Sequence, residues 1–181
     1  FIRANNGRVP LVIGIGSNYT DSLVEYVKKS DLIGFSAILS VVPYYNKPSQ
    51  EGLFQHFSKL ANSSIVPIIL YNVPGRTSCN MEPDTVIKLA KKYKNIIGIK
   101  EAKGDLDQMN NLIKNKPPNF LIISGDDDTA AQSILNGADG VISVAAGSIP
   151  RLFIKTINYA LKKEERNTNI LLDLILDFIY I

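Results

Sequence analysis

Cysteine, histidine and tryptophan are nearly absent from this chain: its 181 residues include one cysteine, Cys79, one histidine, His56, and no tryptophan. A lone cysteine forms no internal disulfide and cannot build a Cys-based zinc site, so no metal site of that kind is expected. A reducing, cytoplasmic setting is the expectation that fits. Long apolar runs are missing as well. Nothing approaches about 18 uninterrupted apolar residues, so no membrane span is expected. No signal-peptide pattern is visible from Phe1 onward. Charge of one sign is also scarce, since 20 Lys and Arg against 17 Asp and Glu leave only +3. The lysines are scattered, as in Lys28 with Lys29, Lys91 with Lys92 and Lys162 with Lys163, and read as solvated helix faces. With no basic stripe interleaved with aromatics, no nucleic-acid partner is expected.

What is present is an ordinary globular composition, 45% hydrophobic and 20% charged with 12 glycines and 9 prolines. It excludes a disordered, collagen-like or disulfide-scaffold protein. The length can bury a real core, although a complete (β/α)8 barrel usually takes about 250 residues. Short apolar runs recur at 9–16, 34–42, 66–73, 95–102, 120–125 and 140–146. They are rich in Val, Ile, Leu and Ala and alternate little, which predicts parallel strands buried on both faces. Amphipathic stretches lie between and after them at 20–29, 49–62, 83–93, 106–115, 129–136 and 150–163. Pro83 and Pro150 stand at helix starts, where the missing N–H costs nothing, and Gly137 follows a helix as a C-cap should.

Repeated βα units mean an α/β architecture. An open doubly wound sheet concentrates its site at one switch point, whereas a barrel gathers every strand end around one mouth. Here polar residues follow nearly every strand: Ser17 and Asn18; Tyr44, Tyr45 and Asn46; Tyr71 and Asn72; Lys100 and Glu101; 125–128; Ser143. That distribution favours a TIM barrel. The tail at 164–181 differs in character. It carries a charged cluster, then ILLDLILDFIYI, with Asp173 and Asp177 on one helix face, and reads as a packed or partner-binding helix.

Lys100 ends the strand NIIGIK directly after apolar residues. A lysine leaving a buried strand into a barrel mouth is desolvated, which favours the neutral amine that attacks a carbonyl to form a Schiff base. A strand-end ion pair with Glu101 is the plainer alternative, and spacing leaves both open. Tyr71 ends VPIILY and is either a satisfied core phenol or a proton shuttle. Arg76, in the turn of YNVPGRT, suits a carboxylate by bidentate hydrogen bonding, or else is solvated. Tyr44 and Tyr45 cannot both face one core, so one is expected at the mouth and the other at an interface, unless they are a packing pair. GIGSN at 14–18 lacks the third glycine of a dinucleotide fingerprint. GDDD at 125–128 reads as a helix cap with Asp127 or Asp128 near the N-cap position, rather than as a metal site. His56 reads as a packed helix residue and Cys79 as a small buried or loop residue.

Together PYYNKPSQEGL, ILYNVPGRT, NIIGIKEA, SGDD and GVISV resemble the dihydrodipicolinate synthase family in order and in spacing, over nearly all of 1–163. The resemblance implies a class I aldolase-type lyase in a (β/α)8 barrel that needs no metal and no cofactor. It implies condensation of pyruvate with aspartate 4-semialdehyde to 4-hydroxy-tetrahydrodipicolinate, the entry to diaminopimelate and lysine biosynthesis. Lys100 would form the imine and Tyr71 relay protons at it. Tyr45 would reach across a dimer interface into the partner's site. Arg76 would hold the aldehyde substrate's carboxylate, and the backbone at Ile142 would border the pyruvate pocket. A homodimer or homotetramer is implied. A sibling pyruvate aldolase resembling N-acetylneuraminate lyase, and a non-catalytic remnant, are the alternatives. On this reading 1–163 is a partial barrel carrying strands 3–8, and 164–181 begins a C-terminal helical region. The family's Gly-Thr-Thr-Gly-Glu loop occurs nowhere in the chain. Asn18 and Tyr44 match two residues of the family's lysine-feedback site, but Ser22 stands where a glutamate is expected.

Overall fold

In the computed structural model, which describes residues 1–180, six parallel strands lie side by side in chain order. They are β1 (Val12–Gly14), β2 (Ala37–Val41), β3 (Ile68–Asn72), β4 (Ile96–Glu101), β5 (Leu121–Ser124) and β6 (Gly140–Val141). An order that never reverses is that of a barrel wall, since a doubly wound sheet doubles back at its switch point. The longer helices are α2 (Thr20–Lys29), α3 (Gln50–Ala61), α5 (Pro83–Lys92), α6 (Leu106–Asn115), α7 (Asp127–Asn136), α8 (Pro150–Leu161) and α9 (Glu165–Ile179). Two short ones, α1 (Ile2–Asn5) and α4 (Pro74–Thr77), complete the set. From α2 to α9 each long helix packs on the next long helix in the chain, making one layer around the sheet. No helix among the described residues is long and apolar enough to cross a membrane.

The strands' two faces have separate jobs, because successive side chains point to opposite sides. Ile38, Leu70, Ile99 and Ile122 face the helices and are fully buried with Leu53, Phe57, Leu60, Leu89 and Leu112. Burying each such side chain contributes about 1.5–3 kcal/mol. Leu39, Val41, Tyr71, Lys100 and Ile123 occupy the alternate positions and are only half-buried. They line the concave side of the wall.

Local signals set the helix ends. The Ser49 Oγ accepts from the Gly52 N–H at 3.2 Å at the start of α3. The Asp105 Oδ1 accepts from the N–H groups of Asp107 and Gln108 at 2.9 and 3.1 Å at the start of α6. Gly137 closes α7 at φ 118°, a conformation that favours glycine. α7 begins earlier than its apolar pattern. Its N-cap is Asp126, which accepts from the Thr129 N–H at 3.2 Å, and not Asp127 or Asp128.

The edge strands are shorter than their apolar runs. β1 and β6 each pair on one side only, and beyond β6 the chain leaves the ladder, with Val144 at 85% exposure. The tail forms α9, packed through Thr168 and Ile175. Ile175 joins Ala130, Ala145 and Phe153 in a second small apolar cluster. Asp173 and Asp177 face solvent.

Candidate active site

Tyr71 and Lys100 are the penultimate residues of β3 and β4 and are direct register partners. Both project to the concave side. The Lys100 Nζ lies 4.2 Å from the centroid of the Tyr71 ring, within reach of a cation–π attraction. The plainer reading of Lys100, an ion pair with Glu101, is not what forms. The two are adjacent on one strand and so face opposite ways. Glu101 is 1% exposed on the helix side, and no ion pair of Lys100 exists among the described residues. The lysine stem instead packs on backbone. A Cβ at Gly125 would stand 2.6 Å from the Lys100 Cε and 2.7 Å from the Ala102 Cβ. Gly125 is therefore the space that Lys100 occupies.

A cavity of about 380 Å3 lies against Tyr71 but is not lined by Lys100; its walls include Tyr71, Arg76, Tyr44, Leu39 and Val41. Arg76 reaches it from α4, which Pro74 opens at its first position. Tyr44 shares the cavity but Tyr45 does not: Tyr45 is 88% exposed with φ 75°, a left-handed backbone uncommon for a bulky residue. Ile142 follows β6, its N–H donating to the Ser124 carbonyl at 2.9 Å; it is partly exposed and lies outside this cavity. Asn18 follows β1, and its carbonyl accepts from the Asn46 Nδ2 at 2.9 Å. That bond joins the loop carrying Asn18 to the loop carrying Tyr44. Ser22 is exposed on α2.

The three aspartates after Gly125 diverge to different partners. Asp126 caps α7. The Asp127 Oδ2 accepts from the N–H groups of Val144 and Ala145 at 3.1 and 2.8 Å, which ties down the loop after β6. Asp128 accepts from the Tyr180 hydroxyl. His56 is buried between α2 and α3, its Nδ1 2.8 Å from the Thr20 Oγ1. Burial pushes its pKa down from 6.5 to about 4. Cys79 is 6% exposed, and burial pushes its thiol up.

Two features escaped the sequence. One is Gly125 as the seat of Lys100. The other is a buried polar network of Asn72, Asn80, Glu101 and Gln108 behind the site. A signal for the second was present: a polar residue directly follows both Tyr71 and Lys100 in otherwise apolar strands.

Fold and site together define a (β/α) barrel wall that presents an amine and a phenol side by side at its carboxyl rim. A family model described as the dihydrodipicolinate synthetase family matches residues 2–175. The 4-hydroxy-tetrahydrodipicolinate synthase of Flavobacterium psychrophilum is 54% identical over 163 residues, covering 90% of this chain and 56% of the relative. That of Methanopyrus kandleri is 50% identical over 150 residues, covering 83% and 50%. The crystal structure of dihydrodipicolinate synthase from Aquifex aeolicus superposes with a TM-score of 0.92 at 35% identity, over 98% of this chain and 60% of that one. The chloride-inhibited enzyme from Acinetobacter baumannii complexed with pyruvate gives 0.88 at 42% identity, over 95% and 59%. The chain belongs to the dihydrodipicolinate synthetase family. It spans about half the length of the curated relatives it matches.

Proposed function

We propose that this chain carries the imine-forming site of a 4-hydroxy-tetrahydrodipicolinate synthase, a class I aldolase-type lyase. The observation that carries the reading is the Lys100 amine set 4.2 Å over the Tyr71 ring at the rim of the barrel wall. The neutral amine attacks the keto carbon of pyruvate, and the carbinolamine loses water to leave an imine. Tyr71 passes protons between that nitrogen, the departing hydroxyl and the pyruvate methyl carbon. Loss of a methyl proton gives an enamine, which adds to the aldehyde of aspartate 4-semialdehyde; the amine of that substrate then attacks the regenerated imine carbon, closing the ring and releasing Lys100. Arg76, on the cavity wall, holds the carboxylate of that second substrate by paired N–H···O bonds. Ile142 offers backbone beside the pyruvate.

Tyr45 completes the relay from a second copy of the chain, in a homodimer or a homotetramer. Its 88% exposure and its turn away from the cavity shared by Tyr44 and Tyr71 support that role. Asn18 and Tyr44, on joined loops, are the remaining pair of a lysine-feedback site. Ser22 supplies no carboxylate for the effector's ammonium, so this member responds weakly to lysine. The setting is the cytoplasm, and the product feeds diaminopimelate and lysine biosynthesis. Residues 1–163 form the barrel part and the tail from 164 begins a helical region, of which residue 181 lies outside the described residues.

The test is reductive trapping. The product of the full reading frame is incubated with pyruvate and borohydride and its mass is measured. The expected result is one carboxyethyl group, mapped to Lys100 and missing in Lys100→Ala. No adduct, or an adduct on another lysine, refutes the reading.

A further inference from the structure

The chemistry above makes no use of Glu101, although this carboxylate is 1% exposed and follows the imine-forming lysine directly. A buried charge is tolerated only when it is paired or hydrogen-bonded. The groups that hydrogen-bond Glu101 are all neutral, and the Lys103 ammonium acts on it only through space. The Asn72 Nδ2 donates to its Oε1 and Oε2 at 3.1 and 3.0 Å. The Lys103 backbone N–H donates to Oε1 at 2.9 Å, and the Gln108 Nε2 to Oε2 at 3.0 Å. Asn72 is held in turn, its Oδ1 accepting from the Met81 N–H at 2.9 Å and its Nδ2 reaching the Asn80 Oδ1 at 2.9 Å. The amides of Asn80 and Gln108 exchange bonds of 3.0 and 3.2 Å. Desolvation raises the Glu101 carboxyl pKa, and the bonds from Asn72, Gln108 and the Lys103 N–H, with the Lys103 charge, oppose that rise.

The location of this network is informative. Asn72 and Glu101 are register partners on β3 and β4, one residue beyond the partners Tyr71 and Lys100. Strand register decides which side chains meet, and a slip of one residue turns every side chain to the other face. On the concave side Gly125 leaves room for the lysine stem, but among the described residues no hydrogen bond or ion pair holds the amine itself. Among the described residues Lys100 Nζ rests on the Tyr71 ring and takes part in no ion pair. Its place therefore depends on where the ends of β3 and β4 lie relative to each other. Gln108 ties that pair of strand ends to α6.

We propose that Glu101 is a positioning residue: its carboxylate, clamped by Asn72 and Gln108 behind the barrel wall, holds the ends of β3 and β4 in the register that seats the Lys100 amine against Tyr71. The inference rests on reading Lys100 as the imine-forming lysine. It separates positioning from binding. Glu101 faces away from the cavity, so loosening the clamp slows imine formation without weakening the hold on pyruvate.

The test measures the rate of borohydride-trapped adduct against pyruvate concentration, with the product of the full reading frame and its variants, each counted per folded molecule by circular dichroism. Glu101→Gln keeps the side-chain shape but turns one acceptor into a donor facing donors. The expected result is a maximal trapping rate lower by about tenfold or more, as for a small misplacement of a reacting group. The half-saturating pyruvate concentration should stay within about threefold of wild type, because the bound carboxylate is contacted elsewhere. A folded Glu101→Gln protein that traps at the wild-type rate overturns the proposal. So does one whose loss lies wholly in half-saturation. Should Glu101→Gln fail to fold, Gln108→Met decides, since it removes one donor from α6 and leaves both strands intact. Slowing by about threefold or more supports the clamp on the same positioning argument, and an unchanged rate overturns it. A wild-type protein with no adduct refutes the function reading instead, which keeps the two failures apart.

Discussion

Replacing Gly125 with alanine puts a methyl group where the Lys100 stem now lies. The new Cβ would sit 2.6 Å from Lys100 Cε, 3.0 Å from Lys100 Cγ and 2.7 Å from Ala102 Cβ. Carbon atoms pack best at about 3.5–4.0 Å, so the overlaps are close to an ångström. The lysine stem can swing aside, but the Ala102 Cβ is fixed to its backbone and cannot. Relief therefore moves the ends of β4 and β5 apart, although the Gly125 N–H is bonded to the Glu101 carbonyl at 2.7 Å. Overpacking of this kind costs about 1–3 kcal/mol. The effect on chemistry should be larger in proportion. Displacing a reacting atom by about an ångström costs on the order of a hundredfold in rate. The assay is the first-order rate of borohydride trapping at saturating pyruvate, read by mass, with a urea midpoint on the same samples. Gly140→Ala is the control, since a Cβ there meets nothing within 4 Å. The expectation is trapping slowed about a hundredfold in Gly125→Ala and within about threefold of wild type in Gly140→Ala. Equal rates in the two variants refute the claim that Gly125 seats the lysine.

Two other outcomes follow from the same structure. His56 has a folded pKa of about 4 against 6.5 in the open chain, so between those values the unfolded chain binds the extra proton and stability falls as pH falls, by about 3 kcal/mol in full. Glu101, raised by burial, acts in the opposite sense, so urea midpoints of wild type and His56→Gln compared at pH 7 and pH 5 isolate the histidine; equal losses in both remove it as the cause. Tyr45→Phe should slow condensation by about a hundredfold or more, as loss of a proton-transfer group does, while leaving the fold unchanged because the side chain is 88% exposed; steady-state assay with aspartate 4-semialdehyde checks it, and an unchanged rate refutes the cross-subunit relay.

The barrel wall was legible because each apolar run ends in polar residues, and a wall gathers those ends at one rim. Tyr71 and Lys100 were legible individually for that reason. Their contact was implied only by the family resemblance, because register depends on which residues of two strands pair, and apolar runs of similar composition carry no mark of that. The orientation of Glu101 was within reach: alternation along β4 puts it opposite Lys100, and that settles the ion-pair alternative. The edge strands were read too long because hydrophobicity continued past the last ladder bond. At β6 the last ladder bond is made by the Ile142 N–H, and the apolar residues of 144–146 turn away, held in part by Asp127. The cap of α7 was misplaced because three adjacent aspartates are equivalent in sequence, and only the chain's turn after β5 selects Asp126.

The strand ends also explain why the polar residues come in pairs. A strand that stops at its chemistry would present Lys100 or Tyr71 from a frayed end with no partner behind it. Here each is followed by a residue buried on the opposite face, Glu101 or Asn72. Burying those groups is unfavourable unless every donor and acceptor is matched, and a matched network tolerates little displacement. That intolerance is useful at a site whose nucleophile has, among the described residues, no hydrogen bond or ion pair on the concave side. An apolar pair at the same positions would pack and stabilise the wall, yet it would accept small shifts along the strands, because dispersion contacts have weak directionality. Hydrogen bonds do not, since they weaken steeply with misalignment. The rigidity that no hydrogen bond or ion pair gives the amine on the inner face is thus supplied from the outer one, through Asn72 and Glu101, the register partners one residue beyond it.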